Sequence, residues 1–196
     1  YMVHRGKNFF ASLKMSSSRV IGMESINSEN MVGRHLADGA LYMSVAGGEY
    51  KDIFPVWDWK RIPGTTCAQT PGDPGHCKDW RNPKDFVGGV SDGVYGCAAM
   101  DFEHDGVSAR KSWFFSGGRI FCFASGISSS SDAAVVTTVN QCILRGDVRC
   151  RFEGGELGMQ KGAKNFSALE WVEHDGLRYA FPKPSAAALG IGAQTG

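Results

Sequence analysis

Four short glycine-containing turns, each between two segments of alternating apolar and polar residues, restrict this chain to a β-rich fold. The turns lie at Asp105-Gly106, Gly117-Gly118, Gly146 and Asp175-Gly176. The segments that they join are 97–104 with 107–115, 113–115 with 120–124, 135–144 with 148–152, and 169–174 with 177–181. Asp-Gly and Gly-Gly supply the positive φ angles that two-residue hairpins need. We therefore predict antiparallel sheet built largely from hairpins.

The remaining segments add one more strand signal and little evidence for helices. Apolar residues at alternate positions from Phe9 to Met15 predict a half-buried strand. The 26 glycines and the lack of a long helical apolar stripe point away from a helical domain. We interpret 125–132 as a turn and 182–196 as a loop. A length of 196 residues suits one domain with a sizeable core.

The charge balance excludes partners that are bound through a strong overall field. The formal net charge is +1, so we expect neither a nucleic-acid nor a membrane partner. No apolar run approaches the length of about 20 residues that a membrane span needs. The first residues, Tyr1 to Arg5, lack a signal-peptide pattern and an initiator methionine. We interpret the chain as part of a longer or processed polypeptide.

The cysteine spacing predicts disulfides rather than a metal or redox site. None of the six cysteines forms a C-x-x-C pair, which argues against a zinc ribbon. Cys67 and Cys77 bracket one turn-rich loop, and Cys142 and Cys150 bracket another. We expect at least one disulfide among these two pairs, which would imply an exported protein, secreted or periplasmic.

Two polar stretches are candidates for function. Met15 to Gly33 is dense in hydroxyl, amide and carboxylate side chains, which either hydrogen-bond their own backbone in a tight connection or face a polar ligand. Trp80 stands among cations, Arg81 included, in a polar loop. Such a surface suits the stacking of sugar rings and the binding of their carboxylates or sulfates. By contrast, Glu-His-Asp-Gly at 103–106 and 173–176 is interpreted as turn sequence.

A set of motifs in order along the chain resembles one known family. The motifs are Ser16-Ser17-Ser18-Arg19, Glu24-Ser25-x-Asn27-x-Glu29-Asn30, Asp38-Gly39, Trp57-Asp58-Trp59, Ile62-Pro63-Gly64-Thr65-Thr66, Phe86-x-Gly88-Gly89-Val90-Ser91-Asp92-Gly93-Val94-Tyr95-Gly96, Lys111-x-Trp113-Phe114-Phe115, Gly126-Ile127, Thr137-Thr138-x-Asn140-Gln141 and Tyr179-x-Phe181-Pro182. They resemble the central β domain of polysaccharide lyase family eight, which contains the chondroitin AC, hyaluronan and xanthan lyases. The similarity is strongest to the chondroitin AC type.

The resemblance implies an all-β fold and a reaction class. Residues 1–196 would form an incomplete central domain, a large antiparallel β-supersandwich of the galactose-mutarotase-like kind. The N-terminal α/α toroid and the C-terminal β domain of the full enzyme would be absent from this chain. The implied activity is β-elimination of a uronic-acid-containing glycosaminoglycan, chondroitin sulfate or hyaluronan, by a monomeric enzyme without a cofactor.

The resemblance also assigns roles to individual residues. Glu24 matches a catalytic glutamate that orients cationic partners, and most other catalytic groups would come from the toroid. Asn27 would lie near the substrate. Trp80 lies near the position of an aromatic residue that lines the cleft, although the spacing to Phe86 is two residues shorter here, and Arg81 beside it is taken as substrate-binding.

Three polar residues of the first stretch are given supporting roles. We interpret Arg19, Glu29 and Asn30 as structural, bracing the loop around the catalytic glutamate. An ionised glutamate next to apolar residues needs a cationic partner. The partner of Glu24 is either Arg19 or a residue of the toroid, and both alternatives stay open.

No metal site is expected. Some relatives bind calcium around the Trp-x-Trp segment, but here Lys60 and Gln69 stand where carboxylates would be needed, and only Asp58 remains. One carboxylate beside a lysine is a poor site for a hard divalent cation.

Other functions remain as alternatives. One is a non-catalytic carbohydrate-binding sandwich that uses Trp57, Trp59 and Trp80, and another is a lyase on a different uronate polymer such as xanthan. A hydrolase would use the carboxylate pair Glu24 and Glu29. A mutarotase would use a glutamate with His35 or His76.

Overall fold

The computed structural model describes residues 1–195 and confirms the all-β prediction. Within these residues the chain forms fifteen strands and one short 3-10 segment, Phe54–Val56. The chain divides into two compact units. The first consists of Tyr1–Ser44 and Trp57–Gln141, and the second of Val45–Val56 and the described residues from Cys142 onward. Over the described part of the chain, no helix has the length and apolar character to span a membrane.

The first unit contains eleven strands in four sheets. The strands are β1 (Met2–Arg5), β2 (Phe10–Lys14), β3 (Met23–Glu24), β4 (Ala40–Ser44), β5 (Thr66–Ala68), β6 (Asp79–Trp80), β7 (Val87–Ser91), β8 (Tyr95–His104), β9 (Val107–Ser116), β10 (Arg119–Ser129) and β11 (Val135–Thr137). The larger sheets have the orders β1-β2-β4 and β10-β9-β8-β7. Two short pairs, β3-β6 and β5-β11, complete the unit.

The core of the first unit follows from strict alternation along its strands. In β2 the side chains of Ala11 and Leu13 are fully buried, as the period of two predicts. In β9 every second residue from Val107 to Phe115 is buried. These residues form one apolar cluster with Phe102 of β8. The buried Lys111 of β9 interrupts this apolar series.

The second unit is organised around one sheet. Its strands are β12 (Val148–Phe152), β13 (Gly155–Met159), β14 (Gly162–His174) and β15 (Leu177–Ile191), in the order β13-β12-β14-β15. Cys150, Met159, Phe166 and Leu169 form its buried cluster. The pairing is antiparallel throughout.

Three of the four predicted hairpins are confirmed. Asp105-Gly106 joins β8 to β9, Gly117-Gly118 joins β9 to β10, and Asp175-Gly176 joins β14 to β15. The hairpin at Gly146 is wrong, because β11 pairs with β5 while β12 pairs with β13 and β14. A glycine predicts a bend at this position, but it does not predict which strands pair, and the partners of β11 and β12 are not each other.

The two segments interpreted as turn and loop, 125–132 and 182–196, are strand up to Ser129 and up to Ile191, and both strands lie at sheet edges. Gly196 lies outside the described residues. β10 extends to Ser129 across a register shift where Gly126 has a φ of 62°. Such a bulge lets an edge strand continue past a glycine. β15 extends to Ile191 although it contains Pro182, which an edge strand tolerates because one of its sides has no hydrogen-bonding partner.

The predicted disulfides are wrong, because all six cysteines are free thiols. The Cys67 sulfur lies 3.3 Å from His35 Nε2 rather than near Cys77. Cys150 is fully buried in the cluster of the second unit, and Cys142 faces His174 at 3.7 Å. Spacing along the chain does not reveal on which side of a strand a sulfur lies. The inference of export therefore loses its support from disulfides.

Candidate functional site

The short β3-β6 ladder presents the predicted catalytic glutamate. Met23 is paired with Trp80 and Glu24 with Asp79. Met23 is buried, whereas Glu24 and Asp79 are both exposed. Two carboxylates directly opposite each other in an antiparallel pair repel. The local structure is therefore suited to a cation that would lie against this side of the ladder.

The loop after Glu24 hydrogen-bonds its own backbone and still exposes its polar side chains. Asn27 and Asn30 have φ angles of 51° and 53°, a region that asparagine tolerates better than most residues. Asn30 Nδ2 donates to the Glu24 carbonyl at 2.8 Å. Ser25 Oγ donates to the Glu29 carbonyl at 3.2 Å. Main-chain acceptors thus hold the loop, while the side chains of Asn27, Glu24 and Glu29 are exposed.

Arg19 does not pair with the predicted catalytic glutamate. Its Nη1 donates to the Asp85 carbonyl at 2.7 Å, and the neighbouring Ser18 hydroxyl bonds the Asp85 carboxylate. Arg19 therefore braces the segment around Asp85, and its supporting role in the site stays a prediction. Among residues 1–195, no cation lies within ion-pair distance of the Glu24 carboxylate.

Trp80 is half-buried and partly covered by its own domain. Its ring stacks on His104 with a centroid distance of 3.8 Å and an interplanar angle of 20°. Gly22 lies against the same indole, because a Cβ there would come within 2.6 Å of Trp80 Cε3 and Cζ3. One face of the predicted stacking platform is therefore already occupied. Arg81, the next residue, is exposed.

A network of charged groups, buried at His35, Asp38 and His104 and exposed at Asp105, lies behind Trp80. Asp38 Oδ2 is 2.8 Å from both His35 Nδ1 and His104 Nδ1, and Asp38 is fully buried. The Asp105 carboxylate oxygens lie 3.7 Å from the Nε2 atoms of the same two imidazoles. Arg34 binds Asp105 with two hydrogen bonds of 2.5 and 2.6 Å. We call these five residues the His-Asp cluster.

The electrostatics of the cluster stabilise the buried carboxylate. Burial would raise the pKa of Asp38, but the hydrogen bonds from His104 and His35 lower it below its ordinary value. Burial would lower the pKa of His35, but its bonds to Asp38 and Cys67 raise it to about 10. The histidine is therefore the positive partner of the aspartate at neutral pH.

Lys111 extends this network from β9. Its Nζ donates to the main-chain oxygens of Asp38 and Gly64 at 3.1 and 2.7 Å. Burial lowers the pKa of Lys111 to about 8. A buried ammonium with two carbonyl acceptors is a structural group rather than a substrate contact.

The cluster contains three potential metal ligands, but hydrogen bonds already account for their geometry. Donor atoms of His35, Asp38 and His104 lie within 4.8 Å of one another. A ligating imidazole nitrogen must be unprotonated, whereas both Nδ1 atoms lie at hydrogen-bond distance from a single carboxylate oxygen. The nearby ammonium of Lys111 also disfavours a divalent cation. The arrangement fits a charge-balanced hydrogen-bond network better than a metal centre.

At the position where the sequence argues against calcium, an ammonium lies among oxygen atoms. Lys60 Nζ is 2.8 Å from both Thr70 O and Thr70 Oγ1, 2.6 Å from Gly72 O and 3.3 Å from Pro71 O. These oxygens would suit a hard cation. The lysine supplies the positive charge there. The absence of a metal remains a prediction.

Sequence reasoning missed the His-Asp cluster. The turn interpretation of 103–106 is right, since Asp105 and Gly106 have φ angles of 48° and 75°. The preceding His104, however, is buried and bonded to a residue 66 positions away. The sequence signal was the His-Asp dipeptide itself. The second copy, at 173–176, forms a hairpin whose imidazole accepts a hydrogen bond from the Arg145 N–H and lies 3.7 Å from the Cys142 sulfur.

Comparisons with known proteins agree with this architecture. The family model described as polysaccharide lyase family 8, super-sandwich domain, matches residues 1–196. Chondroitinase-AC of Pedobacter heparinus is 38% identical over 200 residues, which cover 100% of this chain and 28% of that protein. Hyaluronate lyase of Thermasporomyces composti is 32% identical over 145 residues, which cover 71% of this chain and 19% of that protein.

A solved structure gives the same result. The chain superposes with a TM-score of 0.88 and 36% identity on chondroitinase AC lyase from a study of enzyme-oligosaccharide complexes. The superposition covers 96% of this chain and 28% of the other. The predicted β-supersandwich is confirmed. The chain spans less than a third of the length of these relatives.

Proposed function

The chain belongs to polysaccharide lyase family 8, and we propose that it is the central β domain of a longer enzyme that cleaves a glycosaminoglycan by β-elimination. The observation that carries the proposal is the match to chondroitinase-AC over the whole chain at 38% identity. The substrate class is a 4-linked uronic-acid polymer, chondroitin sulfate or hyaluronan. An α/α toroid would supply the remaining catalytic groups.

The proposed reaction needs three kinds of groups. The C5–H bond of the uronate breaks, a C4=C5 double bond forms, and the C4–O bond to the neighbouring sugar breaks. A base must take the C5 proton, an acid must protonate the leaving oxygen, and cations or donors must neutralise the carboxylate beside C5. Each step balances without an oxidant, a reductant or a metal.

In this scheme Glu24 binds and orients a cationic catalytic group outside this chain. Its exposure, and the lack of an ion-pair partner among residues 1–195, support that role. Asp79 opposite would strengthen the attraction. Asn27 would contact the sugar from the neighbouring loop.

Trp80 and Arg81 would form the substrate-binding part of the site. Arg81 is exposed, and a guanidinium can bind a carboxylate or sulfate with two parallel hydrogen bonds. Trp80 would offer its uncovered surface to a pyranose ring. Because polymeric substrates of this size are met outside the cell, we place the enzyme in the secreted or periplasmic space. A monomer suffices for this scheme.

Glu24→Gln in the full-length protein tests the proposal. With chondroitin sulfate or hyaluronan as substrate, the wild-type protein should raise ultraviolet absorbance as the conjugated double bond forms. Losing the carboxylate charge should reduce kcat on the order of a hundredfold with little change in binding.

Glu29→Gln is the matched control, because this exposed glutamate lies in the same loop and supports it through its main chain. It should keep wild-type turnover. Equal turnover of Glu24→Gln and the wild type would remove Glu24 from the mechanism. Absorbance with xanthan alone would instead support the alternative substrate.

The rival functions have less support. A sandwich that only binds sugars would use three tryptophans, yet Trp57 is 6% exposed and one face of Trp80 is covered. Of the two histidines considered for a mutarotase, His35 is buried and bonded to Asp38, whereas His76 is exposed.

A further inference from the structure

Trp80 is in contact with two residues that the proposed reaction does not use. The ring of His104 lies parallel to the indole at 3.8 Å, and the missing side chain of Gly22 leaves the space that the Trp80 ring fills. We propose that His104 and Gly22 are positioning residues that fix the Trp80 side chain for polysaccharide binding. The substrate part of this proposal rests on the proposed function.

Contacts with Asp38 and His35 fix the position of His104. Its Nδ1 is 2.8 Å from the fully buried carboxylate of Asp38, and its ring lies 4.9 Å from the ring of His35. His104 is itself 4% exposed. Rotation of this imidazole would leave a buried carboxylate short of a hydrogen bond, which is costly. The surface that His104 presents to Trp80 is therefore rigid.

The second contact, between Gly22 and the Trp80 ring, requires a glycine at position 22. Its N–H donates to the Trp80 carbonyl at 2.9 Å, so the two main chains are adjacent. An added Cβ would come within 2.6 Å of two ring carbons, closer than carbon atoms approach without one of them moving. The main chain of Trp80 is also paired with that of Met23. Any larger residue at position 22 must displace the indole.

A fixed indole favours sugar binding for an entropic reason. A side chain that already occupies one rotamer loses little freedom when a ligand packs on it. Trp80 pairs with Met23 and not with Glu24, so its side chain lies on the face of the ladder opposite to the Glu24 carboxylate. Loosening the ring should weaken binding while leaving the chemistry at Glu24 intact.

The test uses His104→Asn in the full-length protein. The asparagine amide can replace Nδ1 as the donor to Asp38, but it removes the stacked ring. We expect the tryptophan emission assigned to Trp80, by difference from Trp80→Phe, to shift in the ligand-free protein. We also expect KM for chondroitin sulfate to rise about tenfold, as for one lost aromatic contact, with kcat within about twofold of wild type.

Gly22→Ala is the second variant, and it should shift both readouts in the same direction without touching Asp38. His4→Asn is the matched control. His4 is also a buried histidine beside an aromatic ring, 5.4 Å from Phe115, so its loss should lower the melting temperature and leave the Trp80 emission and KM unchanged.

Two results would overturn the proposal. One is unchanged Trp80 emission in both His104→Asn and Gly22→Ala, and the other is shifted emission with wild-type KM. Failure of the proposed function gives a different pattern, because the wild type itself would then form no double bond. The emission of the ligand-free variants would in that case still decide whether the two residues fix the ring.

Discussion

At the scale of single residues, His35 and Lys111, which lie beside the buried Asp38, make the stability of the fold depend on pH. The pKa of His35 is raised from 6.5 to about 10. Between these values the folded protein holds a proton that the unfolded chain has lost, so this contribution to stability falls as pH rises. The pKa of Lys111 is lowered from 10.5 to about 8, so its contribution increases above pH 8. We expect the melting temperature to fall from pH 6.5 to 8 and then to level until the Cys122 thiol begins to titrate in the unfolded chain near pH 9.

Two variants separate these contributions in thermal unfolding scans. His35→Asn should remove the fall between pH 6.5 and 8, and Lys111→Met should let the fall continue toward pH 10. At the acid end, Asp38 has a pKa below its ordinary 3.8, so its stabilising effect is lost only below that pH. A wild-type melting temperature that stays constant from pH 6.5 to 8 would contradict the assignment of His35.

Lys60 gives a second prediction at this scale, because its ammonium is the cation for an oxygen-lined site. Lys60→Met would leave the carbonyls of Thr70 and Gly72 without this donor. We expect the free energy of unfolding to fall by about 2 kcal/mol, as for lost charge-assisted hydrogen bonds. Lys51→Met, at an exposed lysine, is the control. Neither calcium nor a chelator should move the wild-type melting temperature, and a rise with calcium would show that a metal can enter.

At the scale of elements, the loop after Glu24 combines left-handed backbone with a side-chain tether. Asn30 has a φ of 53° and donates to the Glu24 carbonyl. Asn30→Ala loses the hydrogen bond and forces alanine into that conformation, at about 1 to 2 kcal/mol. Asn30→Gly loses only the hydrogen bond.

We expect both variants to lower turnover, since both release the main chain at Glu24, and the alanine variant to lose more stability than the glycine variant. Denaturant unfolding and the absorbance assay measure the two effects separately. Wild-type turnover in both variants would show that the tether does not position Glu24.

The elements that sequence predicts well are those whose signals are local. The turn at Asp105-Gly106 fixes a hairpin because both residues adopt positive φ and the two strands follow directly. The pairing of β5 with β11 joins residues about seventy positions apart, Thr66 with Thr137 for example. No short pattern specifies that partner. The same limit explains why the predicted hairpin at Gly146 does not form.

The candidate site also has one part whose residues are close in sequence and another part formed by residues remote in sequence. The loop residues Glu24, Asn27 and Asn30 lie close together in sequence, so a short motif is enough to propose them as one site. The contact of Trp80 with His104, and of His104 with Asp38, arises only when three remote segments meet in the fold. A histidine before Asp-Gly is consistent with an ordinary turn, so nothing local distinguishes a buried cluster from a hairpin.

At the scale of the whole molecule, our proposal gives this chain only part of an active site. Glu24 has no ion-pair partner among residues 1–195, and the chain spans 28% of the chondroitinase-AC of Pedobacter heparinus. The sheet β10-β9-β8-β7 also exposes aromatic side chains, with Phe114, Phe121 and Phe123 each about half exposed. Large exposed apolar patches mark surfaces that contact other protein. Both observations favour a domain that works next to further protein.

This view predicts that the 196-residue chain alone is inactive. The elimination needs a base, an acid and a cation around the uronate, and in our proposal Glu24 only orients such groups. We expect no absorbing product from chondroitin sulfate with the isolated chain, at concentrations where the full-length protein reacts within minutes. Circular dichroism should first establish that the isolated chain is folded, and sedimentation that it has not aggregated through its exposed aromatic face. Turnover by the folded chain alone would place the base and the acid within these residues, and the proposed dependence on a neighbouring domain would be wrong.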